Sequence, residues 1–129
     1  MKFSFKWKSS TRASKQRKYR TLAPSHVKHE MVSAHLSKEL RKRYSRRNFP
    51  VRKGDTVEVE KGSFKGKKGK ILEVDTRRKM AYVDGMMITK KDGSKVNVPI
   101  TISNFTLTEL NLEDKKRLGA VERKIRSKK

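Results

Sequence analysis

From residue 51 onward, apolar and polar positions alternate in short runs. Val57 and Val59 are separated by Thr56, Glu58 and Glu60, a period of two that predicts a strand with one face buried. Residues 62–69 form a Gly/Lys loop, and Ile71, Leu72 and Val74 mark a second strand. Residues 75–79 are a charged turn, followed by a third strand over 80–83 that Asp84-Gly85 interrupts. Residues 86–90 and 95–98 flank Lys91-Asp92-Gly93-Ser94, where Asp-Gly is a strong hairpin signal. Phe105, Leu107 and Leu110 mark a last strand. Short strands at regular spacing predict a small β-barrel, which removes its own edges by closing.

The flanks read differently. Phe3, Phe5 and Trp7 alternate with Lys2, Ser4, Lys6 and Lys8, a period of two that predicts a short extended strand. Two readings of these aromatics stand side by side: an anchor on a protein surface, or rings stacked on unpaired bases with lysines on phosphates. Residues 26–32 follow Pro24-Ser25 and predict a short helix. Ser37 caps a second one over 38–44, where Leu36, Leu40 and Tyr44 form one apolar edge. Helices this short need a surface to dock on. Pro50 ends the segment and disfavours helix at Phe49. At the other end, Asn111 is an expected N-cap for a basic helix to residue 129, with Glu113 and Asp114 in its first turn. Leu118, Val121 and Ile125 supply its apolar stripe, and Gly119 is its weak point. The expected divisions are a basic extended arm (1–23), short helices and linker (24–50), a barrel (51–110) and a C-terminal basic helix (111–129).

Charge now changes the picture. The 129-residue chain carries a net +23, distributed as +13 over residues 1–50, +5 over 51–110 and +5 over 111–129. Before Glu30 there is no acid at all. Such a segment buries too little apolar surface to offset its chain entropy, and is expected to be disordered until bound. A solvated face does not explain it. An anionic partner does, and nucleic acid is the first candidate. The arm has no apolar core like that of a secretory signal, and it lacks the amphipathic helical pattern of a transit peptide. No apolar run approaches the ~18 residues of a membrane span. Without Cys, disulfides and thiolate metal sites are excluded.

The most informative stretch is Val51-Arg52-Lys53-Gly54-Asp55-Thr56-Val57-Glu58-Val59-Glu60-Lys61-Gly62-Ser63-Phe64-Lys65-Gly66-Lys67-Lys68-Gly69-Lys70-Ile71-Leu72-Glu73-Val74. Gly54-Asp55 turns into a strand, Phe64 plugs the end of the core, and Gly66 and Gly69 let the backbone bend back. Lys65, Lys67 and Lys68 then stand on a loop with fixed ends, which binds phosphate with little loss of ordering entropy.

This stretch resembles the KOW motif: Gly-Asp opening a strand, a Gly-x-x-Lys-Gly loop, and a Gly opening the next strand. Ala23-Pro24-Ser25-His26, the run from Leu36 to Arg41, Pro50-Val51-Arg52-Lys53, Ser103-Asn104 and Leu110-Asn111-Leu112 extend the likeness over nearly the whole chain. Together they resemble the universal large-subunit ribosomal protein family numbered twenty-four (twenty-six in older eukaryotic naming), in its archaeal and eukaryotic form. The resemblance implies a mainly β fold, an SH3-like barrel with basic extensions. It also implies binding to the 5′ domain of large-subunit ribosomal RNA, a part in early subunit assembly, and a place near the nascent-chain tunnel exit in the cytoplasmic large subunit. Two departures stand out: a shorter C-terminus than the eukaryotic forms, and a more pronounced aromatic N-terminus.

The residues expected to hold RNA follow from charge and motif together. In the arm they are Lys2, Lys6, Trp7, Lys8, Arg12, Lys15, Arg17, Lys18 and Arg20. In the helical linker they are His26, Lys28, Arg41, Lys42, Arg43, Arg46 and Arg47. On the barrel they are Arg52, Lys53, Phe64, Lys65, Gly66, Lys67, Lys68, Arg77, Arg78, Lys90 and Lys91. Recognition is expected to read RNA shape, because side chains cannot reach into the deep groove of A-form RNA. Neighbouring ribosomal proteins are the other expected partners. No membrane, no small-molecule substrate and no second copy of the chain is expected.

Sharper chemistry is set aside on stated grounds. His26, His29 and His35 have only Glu30 and Glu39 nearby, so no metal is expected. Residues 66–70 lack P-loop spacing, and Ile71 replaces its Ser/Thr, so no nucleotide cofactor is expected. Asp55, Glu58, Glu60, Glu73 and Asp75 are expected to be surface ion-pair partners rather than poised acids, so no enzyme is expected. The rivals are a KOW-bearing transcription or RNA-processing factor, which ordinarily carries a second domain, and a DNA-compacting basic protein, which leaves the KOW pattern unexplained.

Overall fold

The structure, a computed structural model, describes residues 2–126. Its centre is a seven-stranded sheet in the order β2-β1-β7-β3-β4-β5-β6. The strands are β1 (Ser33–Leu36), β2 (Asn48–Pro50), β3 (Thr56–Val59), β4 (Lys68–Asp75), β5 (Met80–Thr89), β6 (Lys95–Thr101) and β7 (Phe105–Glu109). Four helices flank them: α1 (Ala13–Leu22), α2 (Ser25–Met31), α3 (Lys38–Tyr44) and α4 (Lys115–Arg126). This is the mainly β, barrel-like KOW fold with helical basic extensions.

Three features of the sheet depart from the expectation. Among the described residues the sheet curls but does not close edge to edge, since no pairing joins β2 to β6. The sheet also begins before residue 51. β1 runs parallel to β7, pairing His35 with Thr106 and Leu36 with Leu107, and β2 pairs antiparallel with β1. These strands sit in the segment read as helices and linker. They are too short for a period to show, and β1 gains its place from long-range pairing alone. The third strand, finally, runs on through Asp84-Gly85 as one ten-residue β5. The pair is absorbed by a shift in register between Tyr82 and Met87 rather than by a break.

The alternation does place the core. Val57, Val59, Ile71, Ala81, Val83, Phe105 and Leu107 are buried, with Leu36 and Val32 from the β1 side and Tyr44 from α3. Ser37 caps α3 as expected, accepting a bond from the Leu40 N–H at 3.3 Å. The last helix starts later than expected. Asn111 instead makes its own turn, its Oδ1 accepting from the Glu113 N–H at 3.0 Å, and Asp114 accepts from the Lys116 N–H at 2.9 Å. Lys128 and Lys129 lie outside the described residues.

The arm carries the largest local correction. Residues 5–9 form a 3-10 turn rather than a strand, and α1 follows it where an extended arm was expected. A second, small apolar cluster holds them: Tyr19, Ala23 and Val27 buried, with Phe3, Trp7 and Met31 packed against them. Phe3 meets Trp7 edge-on at 6.2 Å and Tyr19 at 5.3 Å. The Gln16 amide ties the turn to the helix, donating to the carbonyls of Trp7, Lys8 and Ser10 at 3.2, 3.1 and 2.7 Å. Period-two spacing of three aromatics fits a strand, but Phe3 and Trp7, four residues apart, also meet on one side of a helical turn, which leaves Phe5 exposed.

Candidate nucleic-acid interface

The KOW loop is built by two backbone bonds across its neck. The Val59 N–H donates to the Lys67 carbonyl at 3.0 Å, and the Gly66 N–H to the Val59 carbonyl at 2.7 Å. Gly66 has φ +80°, which L side chains rarely adopt. Gly69 serves differently from the expected bend. A Cβ there would lie 2.6 Å from the Asp84 carbonyl oxygen and 2.8 Å from a Val83 methyl, so glycine admits β5 against β4. Phe64 is half-buried against the core. Lys67 lies 5.2 Å above its ring, with Lys65 and Lys67 both exposed. Lys68 opens β4, and its amine is 3.5 Å from Glu58.

The arm cations stand on α1 and the turn before it. Lys2, Lys6, Lys8, Arg12, Arg17 and Arg20 are exposed, while Lys15 and Lys18 are half-buried. Lys15 lies 5.5 Å above the Trp7 ring, so Trp7 serves the small apolar cluster and one cation. Phe5 is the exception among the aromatics, 62% exposed. Among the described residues, no lysine or arginine before Glu30 pairs with a carboxylate. Helix α1 also brings Arg20 towards the β4–β5 turn. Burial, and then the Arg20 charge, hold the Lys79 ammonium below its ordinary value of 10.5. Arg77 and Arg78 are exposed on the same turn, and Asp75 there accepts from their backbone N–H groups at 2.9 and 3.0 Å. Crowding of like charge at this turn is relieved by an anion.

Other predicted residues divide between open and committed. His26, Lys42, Arg43, Arg47, Lys53, Lys90 and Lys91 are exposed, and Lys28 is half-buried. Arg41 donates to the Leu36 carbonyl at 2.7 Å, which holds it against the chain entering α3. Arg46 donates to the Ala120 carbonyl at 2.6 Å and lies 5.4 Å over Phe49, so it fastens α4. Arg52 is ion-paired with Asp114, and that bond leads the causes holding the Asp114 carboxyl below 3.8. The residues at 90–91 sit at the far hairpin, where the Ser94 hydroxyl and N–H bonds hold Asp92 low.

The feature missed in the sequence is a buried ion pair. Asp55 is fully buried, not a surface partner. Its carboxylate takes both Arg117 nitrogens at 2.6 Å and the N–H groups of Arg52 and Asn111 at 2.9 Å. Arg117 also donates to the carbonyls of Asn111 and Pro50, at 2.7 and 3.0 Å, and stacks 5.2 Å over Phe49. The apolar stripe of α4 therefore runs through Arg117 and Val121, and Leu118 is 39% exposed. Arg117 lies four residues before Val121, the one available signal. The Gly-Asp step of the KOW strand thus locks the barrel to α4 and fixes the base of the cationic loops.

Comparison with known proteins fits this architecture. The profile of the family described as ribosomal proteins L26 eukaryotic, L24P archaeal matches residues 10–124. The chain belongs to that family. It is 47% identical over 111 residues to the large ribosomal subunit protein uL24 of Methanosphaera stadtmanae, covering 86% of this chain and 95% of that one. The uL24 of Haloarcula marismortui is 42% identical over 113 residues, covering 88% and 94%. That of Korarchaeum cryptofilum is 42% identical over 115 residues, covering 89% and 88%. The L26/L24P family is structural rather than enzymatic.

Proposed function

We propose that this chain is a cytoplasmic large-subunit ribosomal protein that binds the 5′ domain of the large-subunit RNA, acts early in subunit assembly and sits near the nascent-chain tunnel exit. It acts as a single copy, beside neighbouring ribosomal proteins. Family membership across residues 10–124 carries the reading. The unpaired cations of the arm, and Lys65 and Lys67 of the KOW loop, support it, because phosphates replace the carboxylates they lack. The barrel supplies a rigid frame, the loops at Lys65 and Lys67 and at Arg77 and Arg78 clamp phosphates, and α1 lies along an RNA helix.

Binding to a transcript of that RNA domain tests this. Affinity is expected to fall linearly on a log–log plot against salt. Changing Arg12, Arg17 and Arg20 together to glutamine keeps helix propensity and removes charge. The slope is expected to flatten by roughly 0.7–0.9 for each phosphate no longer neutralised. An unchanged slope would remove α1 from the interface. Comigration of the native protein with chromatin or RNA polymerase, rather than with large subunits, would sink the reading as a whole.

A further inference from the structure

One face of the sheet carries features that phosphate clamping leaves unused. Strand register sets Glu73 opposite Tyr82, Tyr82 opposite Pro99, and Met87 opposite Asn97. Ala81 and Val83, on either side of Tyr82, are buried in the core, so by the period of two the tyrosine projects outward. Tyr82 and Asn97, both half-buried, line a groove of about 610 Å³ with Lys95 at its rim. Leu72 to Val74 of β4, with Thr76 just after it, also bound a second groove of about 790 Å³. The far side of that second groove is α2 and the segment before β3, which bring His26, His29, Arg52 and Lys53 together with one acid, Glu30.

The chemistry of these grooves is mixed. Leu72 is 37% exposed and Val96 42%, so apolar surface is on offer. The Asn97 side-chain oxygen is buried and has no hydrogen-bond partner, a condition that an incoming N–H relieves. Glu73 and Asp75 line the wall as well. They accept from amino groups and repel phosphate, so they dictate which end of a ligand lies where.

We propose that this face holds an unpaired RNA nucleotide, its base against the Tyr82 ring with a polar edge towards Asn97. Its flanking phosphates are reached by Lys95 on one side and by Lys53 on the other. The proposal rests on the RNA reading above and adds a base contact to it. Every base has a π face for an aromatic ring, and every base edge has groups that bond an amide. Both groove volumes lie in the range of roughly 300–1,000 Å³ that holds compact ligands. Charge decides the class of occupant. An apolar peptide leaves the rim cations and the Asn97 oxygen unanswered, whereas a nucleotide answers both.

Ultraviolet crosslinking of the full chain on the 5′-domain transcript, read by mass spectrometry, tests this. A nucleotide adduct is expected on Tyr82. Tyr82→Phe keeps the ring and is expected to bind as wild type. Tyr82→Leu is expected to lose the adduct and weaken binding about tenfold with the salt slope unchanged, since every phosphate stays neutralised. The wild-type adduct decides the matter even if Tyr82→Leu fails to fold. Salt-dependent binding by the wild type, with no adduct on β5 or β6, overturns the nucleotide site and leaves the RNA reading standing. Absence of any salt-dependent binding overturns both. A Tyr82 crosslink to a neighbouring protein in assembled subunits, in place of RNA, also overturns it.

Discussion

At the scale of single residues, Asp55 is the position where local pattern and tertiary structure part. Gly54-Asp55 reads as a turn entering a strand, and a carboxylate there belongs by default in water. The fold buries it because Arg117, sixty-two positions away, arrives with a matching fork. Two further backbone N–H groups bond the carboxylate, so both of its oxygens are multiply bonded. Asp55→Asn keeps the shape and strands the Arg117 guanidinium in the interior. It is expected to cost about 3–5 kcal/mol, read from urea denaturation at neutral pH. A loss below about 1 kcal/mol would mean that the Arg117 guanidinium is not stranded but finds water or other acceptors. Val57 and Val59 are the opposite case. Their burial was legible because a period of two needs no knowledge of any partner.

At the scale of elements, the arm shows what local periodicity leaves out. The α1 sequence is rich in straight-chain Lys, Arg and Gln, good helix formers. Ten residues are too few to be stable in water unaided, and no side chain caps its first turn. Phe3, Trp7 and Tyr19, with the Gln16 clip, supply the missing support. Trp7→Ala is therefore expected to lower amide-exchange protection over residues 13–22 by about tenfold or more, while protection in β3, β5 and β7 stays as it was. Equal loss in the sheet would show that arm and barrel melt as one unit. The helices over 25–31 and 38–44 were legible because Pro24 and Ser37 mark their starts. β1 and β2 were not, since strands of four and three residues owe their existence to their partners.

At the scale of the whole molecule, a net +23 sets two opposed salt effects. In the free protein, like charges repel; at Lys79 burial first, and then the Arg20 charge, hold the ammonium below its ordinary value. Screening weakens that repulsion, so the melting temperature of the free protein is expected to rise between about 50 mM and 500 mM salt. RNA affinity is expected to fall over the same range, because counterion release is worth less. A melting temperature that falls with salt would mean that the surface ion pairs outweigh the repulsion. The sign at Lys79 agrees. Its lowered pKa means the charged amine opposes folding at neutral pH, and that cost disappears as pH rises through the folded value towards 10.5.

By itself the sequence determined what depends on neighbours along the chain. The KOW strand pair, the cationic loop, the hairpin at Asp92-Gly93, the capped α3 and the excess of positive charge are all local patterns, read at a spacing of a few residues. The tertiary structure alone decided what depends on distant partners. It joined β1 in parallel to β7, buried Asp55 on Arg117, wrapped the aromatic N-terminus onto α1, and turned Tyr82 and Asn97 towards one face. The division has one physical cause. Backbone periodicity and capping are short-range, whereas desolvation and strand pairing are settled only when the chain brings remote residues together.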